Sequence, residues 1–479
     1  MRVRALSTAR GRPDDSGGEA VASRSTVRSA FRPESASAER EPADTKTMSH
    51  VAAAPPTPPD VLSPELELDA ILEQGTIASV YQPIVELSSG SVVGYEALAR
   101  GPQDSPLHTP GALFGTAVRA GRLEALDWAC RAAALRGALG TAIERPSALF
   151  VNIEPVAAMA SIPTQFDEVV ADARERLQVV FEFTERALTD RPAEVLQAVE
   201  QLRRLGAMIA LDDVGVDPRS LALMPFLRPD VIKLDMSVVQ GRASLRMART
   251  MHAVNAQADA FGAIVLAEGI ETPEHLQRAL ALGATHGQGW MYGRPAPAPS
   301  LRPVGTTFPM ARRSHAPGSE PTQDVTPFEQ IAAADERSRV ATKQLLLALS
   351  RQLELQAEDL GPEAVVITNL QAERHLTAAT RERYRRLAER TAFVGVVGEH
   401  ISGEPVAGVR GGALAPSDPM AQEWNVFVIS PHFTAAMVAR DLGDDGDDMA
   451  RRFEYRLVYD RSAAVSAARL LMAKIAPQH

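Results

Sequence analysis

At 479 residues the chain exceeds what one compact core sustains, so at least two domains and their linkers are expected. A hydrophobic share of 45% with 23% charged residues is that of ordinary globular protein and excludes a fibrous or wholly disordered chain. The formal net charge of −10 excludes a general pull toward a nucleic-acid polymer or an anionic membrane, and the single cysteine, Cys130, excludes an intramolecular disulfide, a structural Cys-zinc site and an iron–sulfur cluster held by this chain alone.

Residues 1–62 are rich in Ser, Arg, Ala, Pro and Glu without aliphatic periodicity, which predicts disorder. Met48 precedes a second polar, Pro-rich stretch and is an alternative start to Met1. No secretory signal and no run long enough to span a bilayer is visible, so a cytoplasmic protein is expected.

Order is predicted to begin at Ser63-Pro64-Glu65, a capping hydroxyl followed by Pro at the first helical position, opening a helix over Leu66 to Leu72. Val80 to Leu87 and Ser91 to Leu98 are apolar, β-branched runs parted by Ser88-Ser89-Gly90, which reads as an antiparallel hairpin. Strands then alternate with amphipathic helices: Ala148 to Ile153, Leu177 to Phe183, Met208 to Leu211, Val231 to Leu234 and Ala263 to Ala267. The helix Ala193 to Leu205 shows the pattern, with Val195, Leu196, Val199, Leu202 and Leu205 on one stripe and Gly206 at its end. Such alternation predicts a parallel sheet, open or closed. From Pro295 to about Pro327 the composition becomes that of a linker, then a helical stretch from about Glu329 to Leu355 leads into a second α/β domain reaching Ile475.

Nearly every strand of the first domain ends in an acid or amide: Glu96, Asn152, Glu182 with Glu185, Asp212-Asp213, Lys233 with Asp235, and Glu268 with Glu271. In a closed parallel barrel the strand C-termini meet at one face, so these side chains would converge. Hard oxygen ligands of this kind suit Mg²⁺ or Mn²⁺, and the adjacent aspartates can serve two ions that activate water against phosphorus. Any one acid alone is equally explained as a helix cap or a solvated loop charge. Asp230 and Glu86 read as structural, and the plain alternative for Lys233, inside an apolar strand, is an ion pair with Asp235.

From about Ser63 to Pro295 these residues resemble the EAL phosphodiesterase family. The resemblance rests on Tyr95-Glu96-Ala97-Leu98-Ala99-Arg100, preceded by Gln82-Pro83-Ile84, then Val151-Asn152, Glu182-Phe183-Thr184-Glu185, Asp212-Asp213-Val214-Gly215, Lys233-Leu234-Asp235, Ala267-Glu268-Gly269-Ile270-Glu271 and Gln288-Gly289. It implies a modified TIM-type (β/α)8 barrel over residues 63–300 with an antiparallel first strand, hydrolysing cyclic di-GMP to linear pGpG with two Mg²⁺ or Mn²⁺ ions in a bacterial cell. By the same resemblance Glu96, Asn152, Glu182 and Asp212 hold one metal and Asp213 helps hold the second. Lys233 and Glu268 handle the attacking water, Glu268 as base. Gln82, Leu98, Arg100 and Gln288 face the substrate, and Glu185, Glu271 and Asp235 support the loops.

The chain departs from the family after the paired aspartates, where Val214-Gly215-Val216-Asp217-Pro218-Arg219-Ser220 replaces Phe-Gly-Thr-Gly-Tyr-Ser-Ser. That loop resembles an element coupling the metal site to a homodimer interface, so the departure leaves open a second function: a cyclic di-GMP receptor that does not cleave. Residues 328–476 are similar to the DICT sensory domain, on Val365-Val366-Ile367, Arg374-His375-Leu376-Thr377, Tyr384-Arg385-Arg386-Leu387-Ala388 and Phe453-Glu454-Tyr455, with 301–327 as the linker. The resemblance implies an unidentified ligand or protein partner for that domain. His375, His400 and His432 read as ordinary hydrogen-bonded or surface histidines.

Overall fold

The computed structural model describes residues 63–141, 147–298, 308–309, 325–334 and 337–476. The segment expected to be disordered, with Met48, and most of the expected linker lie outside them. Ser63 caps the first helix, Pro64–Gln74, by accepting from the Leu66 amide, Pro64 takes the first position, and Gly75 ends it in the left-handed region at φ 62°.

The two apolar runs form β1 (Ala78–Glu86) and β2 (Val92–Arg100), paired antiparallel as the turn residues predict. β3 (Ala148–Asn152), β4 (Gln178–Thr184), β5 (Met208–Val214), β6 (Val231–Leu234), β7 (Ile264–Ala267) and β8 (His286–Gln288) follow, each parallel to the one before. β8 pairs back onto β1 in antiparallel sense, so the sheet closes as an eight-stranded barrel with only its first strand reversed. β9 (Ala296–Pro297) adds to the outer half of β1. The helix Pro192–Arg204 buries Val195, Leu196, Val199 and Leu202 as its spacing predicts. Leu205 departs from that stripe: the helix ends at Arg204, so Leu205 is its C-cap and stands 52% exposed.

Strand alternation divides the barrel interior into two levels. Phe150, Val180, Ala210, Val231 and Leu266 belong to one buried apolar cluster, and each lies two residues before a polar side chain: Asn152, Glu182, Asp212, Lys233 and Glu268. Phe308, inside the stretch read as linker, is fully buried in that lower level with its ring against Phe150 and His286. A closed apolar floor therefore lies beneath a polar mouth.

The second domain is built on a seven-stranded sheet. Its strands are β10 (Arg339–Thr342), β11 (Val365–Ala372), β12 (Phe393–Glu399), β13 (Arg410–Leu414), β14 (Glu423–Ile429), β15 (Thr434–Asp441) and β16 (Arg452–Val458). Their order is β10-β16-β15-β14-β11-β12-β13, with β11, β12 and β13 parallel and the other pairings antiparallel. The continuous helix expected from Glu329 to Leu355 is instead a helix Pro327–Ala334, β10, and a helix Lys343–Leu360. Arg339 to Thr342 pair with Tyr455 to Arg452, and that edge pairing overrides a local preference that spacing alone cannot decide.

The sheet is covered on both faces. Val366, Val394, Val426 and Val428 pack with Leu346, Leu353, Tyr384 and Leu387 of the helices Lys343–Leu360 and Ala378–Arg390. Ile367, Phe427, Ile429 and Val438 face the helix Arg461–Met472, whose Val465, Ala468 and Leu471 continue one apolar cluster into Phe226 and Leu227 of the barrel helix Pro218–Leu227. Polar bridges border this junction: Arg228 donates to Ser466 Oγ at 2.9 Å, and Arg469 pairs with Glu200 at 3.1 Å. Among the described residues no helix is long and apolar enough to cross a membrane.

Candidate active site

The polar mouth is set by backbone constraints as much as by the side chains. On β2, Gly94 sits two residues before Glu96, and a Cβ there would lie 2.5 Å from the Ala148 carbonyl oxygen, so only glycine lets β3 close against β2 at this level. On β5, Asp213 adopts φ 58° and the pairing with β6 shifts register between Leu211 and Val214. In a regular strand Asp212 and Asp213 would point to opposite faces; this irregularity brings carboxylate oxygens of both within 4.8 Å of Glu268. Asp tolerates the left-handed region better than most residues. After β7, Gly269 at φ 67° turns the chain where a Cβ would meet that of Met236 at 2.5 Å.

Lys233 of β6 is the hub. Its Nζ, fully buried, lies 2.6 Å from Glu182, 2.9 Å from Asp212, 2.9 Å from Glu268 and 3.6 Å from Glu96. The alternative pairing with Asp235 is not formed: Asp235 caps the helix Met236–Gln240 by accepting from the Ser237 amide at 2.8 Å. Asn152 donates to Glu182 at 3.0 Å and to Glu96 at 3.5 Å. The carboxylates fall into two triads, Glu96–Glu182–Asp212 and Asp212–Asp213–Glu268, each able to present oxygens within 4.8 Å of one another and sharing Asp212.

Charge is not balanced in this arrangement. Burial pushes Glu182 well above the usual carboxylate range, with Glu96 and Asp212 adding to it against Lys233. Burial likewise raises Glu268 to about 8 and Asp213 to about 6. Burial alone would depress the Lys233 ammonium, but Asp212, Glu182, Glu268 and Glu96 outweigh it and hold it well above its ordinary value. Glu182 Oε1 and Asp212 Oδ1 are buried with no hydrogen bond, only the charge contact to Lys233. Buried anionic oxygens left in this state fit a divalent cation, which takes hard oxygen ligands.

The remaining expected site residues are placed as follows. Gln288 donates to Gln82 at 2.9 Å and to Glu96 at 2.5 Å, and Gln82 reaches the Gly293 carbonyl at 3.4 Å, so the two glutamines line one side of the mouth. Leu98 and Arg100 lie further along β2, both half-buried; burial lowers the Arg100 guanidinium and Glu96 draws it back up. Glu185 accepts from the amides of Gly215 and Asp217 at 3.3 and 2.6 Å and from the Ser220 hydroxyl, tying down the departing loop. Asp235 meets the same loop through its amide, which donates to the Val214 carbonyl at 3.1 Å. Glu271 is exposed and shows no side-chain hydrogen bond among the described residues; its amide bonds His275. Sequence reasoning missed two braces: Arg246, donating to the carbonyls of Gly215 and Val216, and Gln240, donating to the Gly269 carbonyl at 2.8 Å. Both stand in helices at spacings that carry no signal.

Asp230 accepts from the Ile209 amide at 2.9 Å and Glu86 from Ser89 at 2.7 Å, the structural parts expected of them. His375 hydrogen-bonds the Leu370 carbonyl, while His432 stacks edge-on to His252.

Comparison with known proteins places two families along the chain. Residues 66–295 match the model of the EAL domain, and residues 328–442 match that of the "Sensory domain in DIguanylate Cyclases and Two-component system", DICT. The "Probable cyclic di-GMP phosphodiesterase PdeB" of Escherichia coli is 30% identical over 241 residues, 50% of this chain and 46% of its own length. The "Cyclic di-GMP phosphodiesterase RocR" of Pseudomonas aeruginosa is 29% identical over 238 residues, 47% of this chain and 59% of its own. A solved calcium and cyclic di-GMP complex of BlrP1 from Klebsiella pneumoniae aligns at 26% identity and a TM-score of 0.42, over 47% of this chain and 56% of that one. The chain thus spans about half the length of these relatives. It carries an EAL domain over residues 66–295 and a DICT domain over residues 328–442.

Proposed function

We propose that the barrel is a metal-dependent phosphodiesterase that hydrolyses cyclic di-GMP to linear pGpG. The observation that carries the reading is the pair of carboxylate triads sharing Asp212 around Lys233. Fully ionised, the five carboxylates and one ammonium carry a formal charge of −4, which two divalent cations balance. Glu96, Asn152, Glu182 and Asp212 would hold one Mg²⁺ or Mn²⁺, and Asp213 with Asp212 the second; bound there, such ions supply Lewis-acid activation of water and neutralise phosphate charge.

The chain's own groups do the rest. Glu268 stands at the rim of the mouth, its side chain 19% exposed, where a general base is able to take the proton of the attacking water. Lys233 holds Glu268 in place at 2.9 Å and keeps Glu182 and Asp212 oriented. Gln82 and Gln288 present amides, with Leu98 and Arg100 beside them, to the dinucleotide. Purified protein with Mn²⁺ and cyclic di-GMP is expected to yield pGpG and Glu96→Ala to abolish it; no product with either Mg²⁺ or Mn²⁺ would refute the reading.

The relatives' names and the family's use of cyclic di-GMP support this substrate, and a soluble bacterial, cytoplasmic enzyme acting as a homodimer through the barrel belongs to the same proposal. A receptor that binds without cleaving is the second reading. It is favoured by the loop after Asp213, where Val216-Asp217-Pro218 replaces the family's residues and where Glu185, Arg246 and the Asp235 amide all fasten the backbone. Saturable cyclic di-GMP binding with no turnover would select it. Regulation by the C-terminal domain follows the helix Pro218–Leu227, which starts at this loop and packs against the helix Arg461–Met472. Ala468→Trp, overfilling that junction, is expected to change turnover while cyclic di-GMP binding persists.

A further inference from the structure

The C-terminal domain holds a concavity of about 360 Å³ on the sheet face opposite the barrel, between the helices Lys343–Leu360 and Ala378–Arg390 and the end of β11. Trp424, 8% exposed, and the almost fully buried Tyr384 are among its lining residues. Glu354, buried at 2%, also lines it and is held by Arg383. A buried ion pair contributes little to stability by itself, so its presence in a hollow calls for another account.

The walls carry unspent positive charge. Lys343 is matched by Asp448 at 2.6 Å and Arg383 by Glu354; among the described residues Arg351 and Arg374 form no ion pair within 4.0 Å, and Arg351 acts on Glu354 only through its field. His375 presents its Nδ1 to the Leu370 carbonyl at 2.7 Å, and burial lowers the ring's affinity for a second proton. In that state Nδ1 donates, which leaves Nε2 as an acceptor. Gln371, also in the lining, adopts φ 64° at a break in the β11–β12 register, a strained conformation of the kind retained where a backbone is shaped for a ligand.

The geometry points to a binding site for a small organic anion bearing a planar ring: its carboxylate or phosphate on Arg351 and Arg374, its ring against Trp424, and a ring donor toward His375. The volume of this half-open hollow suits a metabolite-sized molecule and is too small for a folded partner. Guanidinium groups match planar and tetrahedral oxyanions, and aromatic side chains take flat rings. The site goes beyond the phosphodiesterase reading, and because its test does not measure turnover either can fail alone.

The chain has three tryptophans, so full-length protein labelled with 5-fluorotryptophan gives a countable fluorine spectrum in which Trp424→Phe identifies the reporter. Salicylate, indole-3-acetate and adenosine monophosphate are titrated beside their uncharged counterparts salicylamide, indole-3-acetamide and adenosine. At least one anion is expected to shift the Trp424 resonance saturably while its counterpart does not. Arg351→Gln and Arg374→Gln, both at exposed positions, are each expected to weaken that binding about tenfold or more and to leave the ligand-free spectrum unchanged. Absence of a saturable shift with all three anions, equal binding of the uncharged compounds, or affinity untouched by both arginine substitutions would overturn the assignment.

Discussion

Replacing Lys233 by Met tests the charge balance of the barrel mouth directly. Methionine keeps the length and apolar stem while removing the one ammonium that touches Glu96, Glu182, Asp212 and Glu268 within 3.6 Å. Each contact near 3 Å is worth roughly 5 kcal/mol at an effective dielectric of about 20, offset by the cost of burying the lysine. Removing one member of a buried ion cluster costs about 3–5 kcal/mol once the survivors take up protons to limit their repulsion. In a domain of this size each kcal/mol lowers Tm by about 2–4 °C, so the metal-free variant should melt about 6–20 °C below the parent. Mn²⁺ should then raise the variant's Tm by more than it raises the parent's, because the cation replaces a missing positive charge as well as filling its own site. Thermal unfolding followed by circular dichroism, with chelator and with excess Mn²⁺, reads both quantities. A metal-free Tm within about 2 °C of the parent, or equal shifts with Mn²⁺, would refute the view that Lys233 neutralises the cluster.

Glu268→Gln should lower kcat on cyclic di-GMP by about 10²–10⁴ with KM little changed, which steady-state kinetics with Mn²⁺ will decide. Glu185, raised by burial to about 7, keeps its proton in the folded protein where the unfolded chain has lost it, so it should make stability fall as pH rises from about 4.5 to 7 and then level off, by about 3 kcal/mol at most. Urea midpoints at pH 5 and pH 8 should differ less in Glu185→Gln than in the parent; equal differences would exclude Glu185 as the source. Gly94→Ala drives a methyl toward the Ala148 carbonyl and should cost about 1–3 kcal/mol in the same urea assay, whereas Gly75→Ala, with open space around it, should pay only for its left-handed backbone.

Much of the barrel was legible because its signals are local. The hairpin turn Ser88-Ser89-Gly90, the β-branched runs and the acid two residues beyond an apolar one each follow from period-two geometry. The convergence of Glu96, Asn152, Glu182, Asp212 and Glu268 was legible once the sheet was taken as closed. What stayed hidden depends on partners distant in sequence. Arg339 to Thr342 are a strand because Arg452 to Tyr455 lie beside them, and Phe308 is buried because Phe150 and His286, distant in sequence, pack against its ring. The left-handed turn at Asp213 carries no sequence mark beyond Asp's tolerance of it. The braces Arg246 and Gln240 act on backbone carbonyls, which composition cannot flag.

The reversal of β1 changes where mutational sensitivity should fall along the chain. In β2 to β8 the side chains serving chemistry sit toward the end of the strand and those serving stability toward its start, as Lys233 and Val231 do. β1 enters from the mouth, so Gln82 precedes the floor residue Ile84. A saturation library scored separately for abundance and for signalling output should therefore show the two footprints in opposite order in this one strand, a fingerprint by which the direction of a single strand is read without any diffraction.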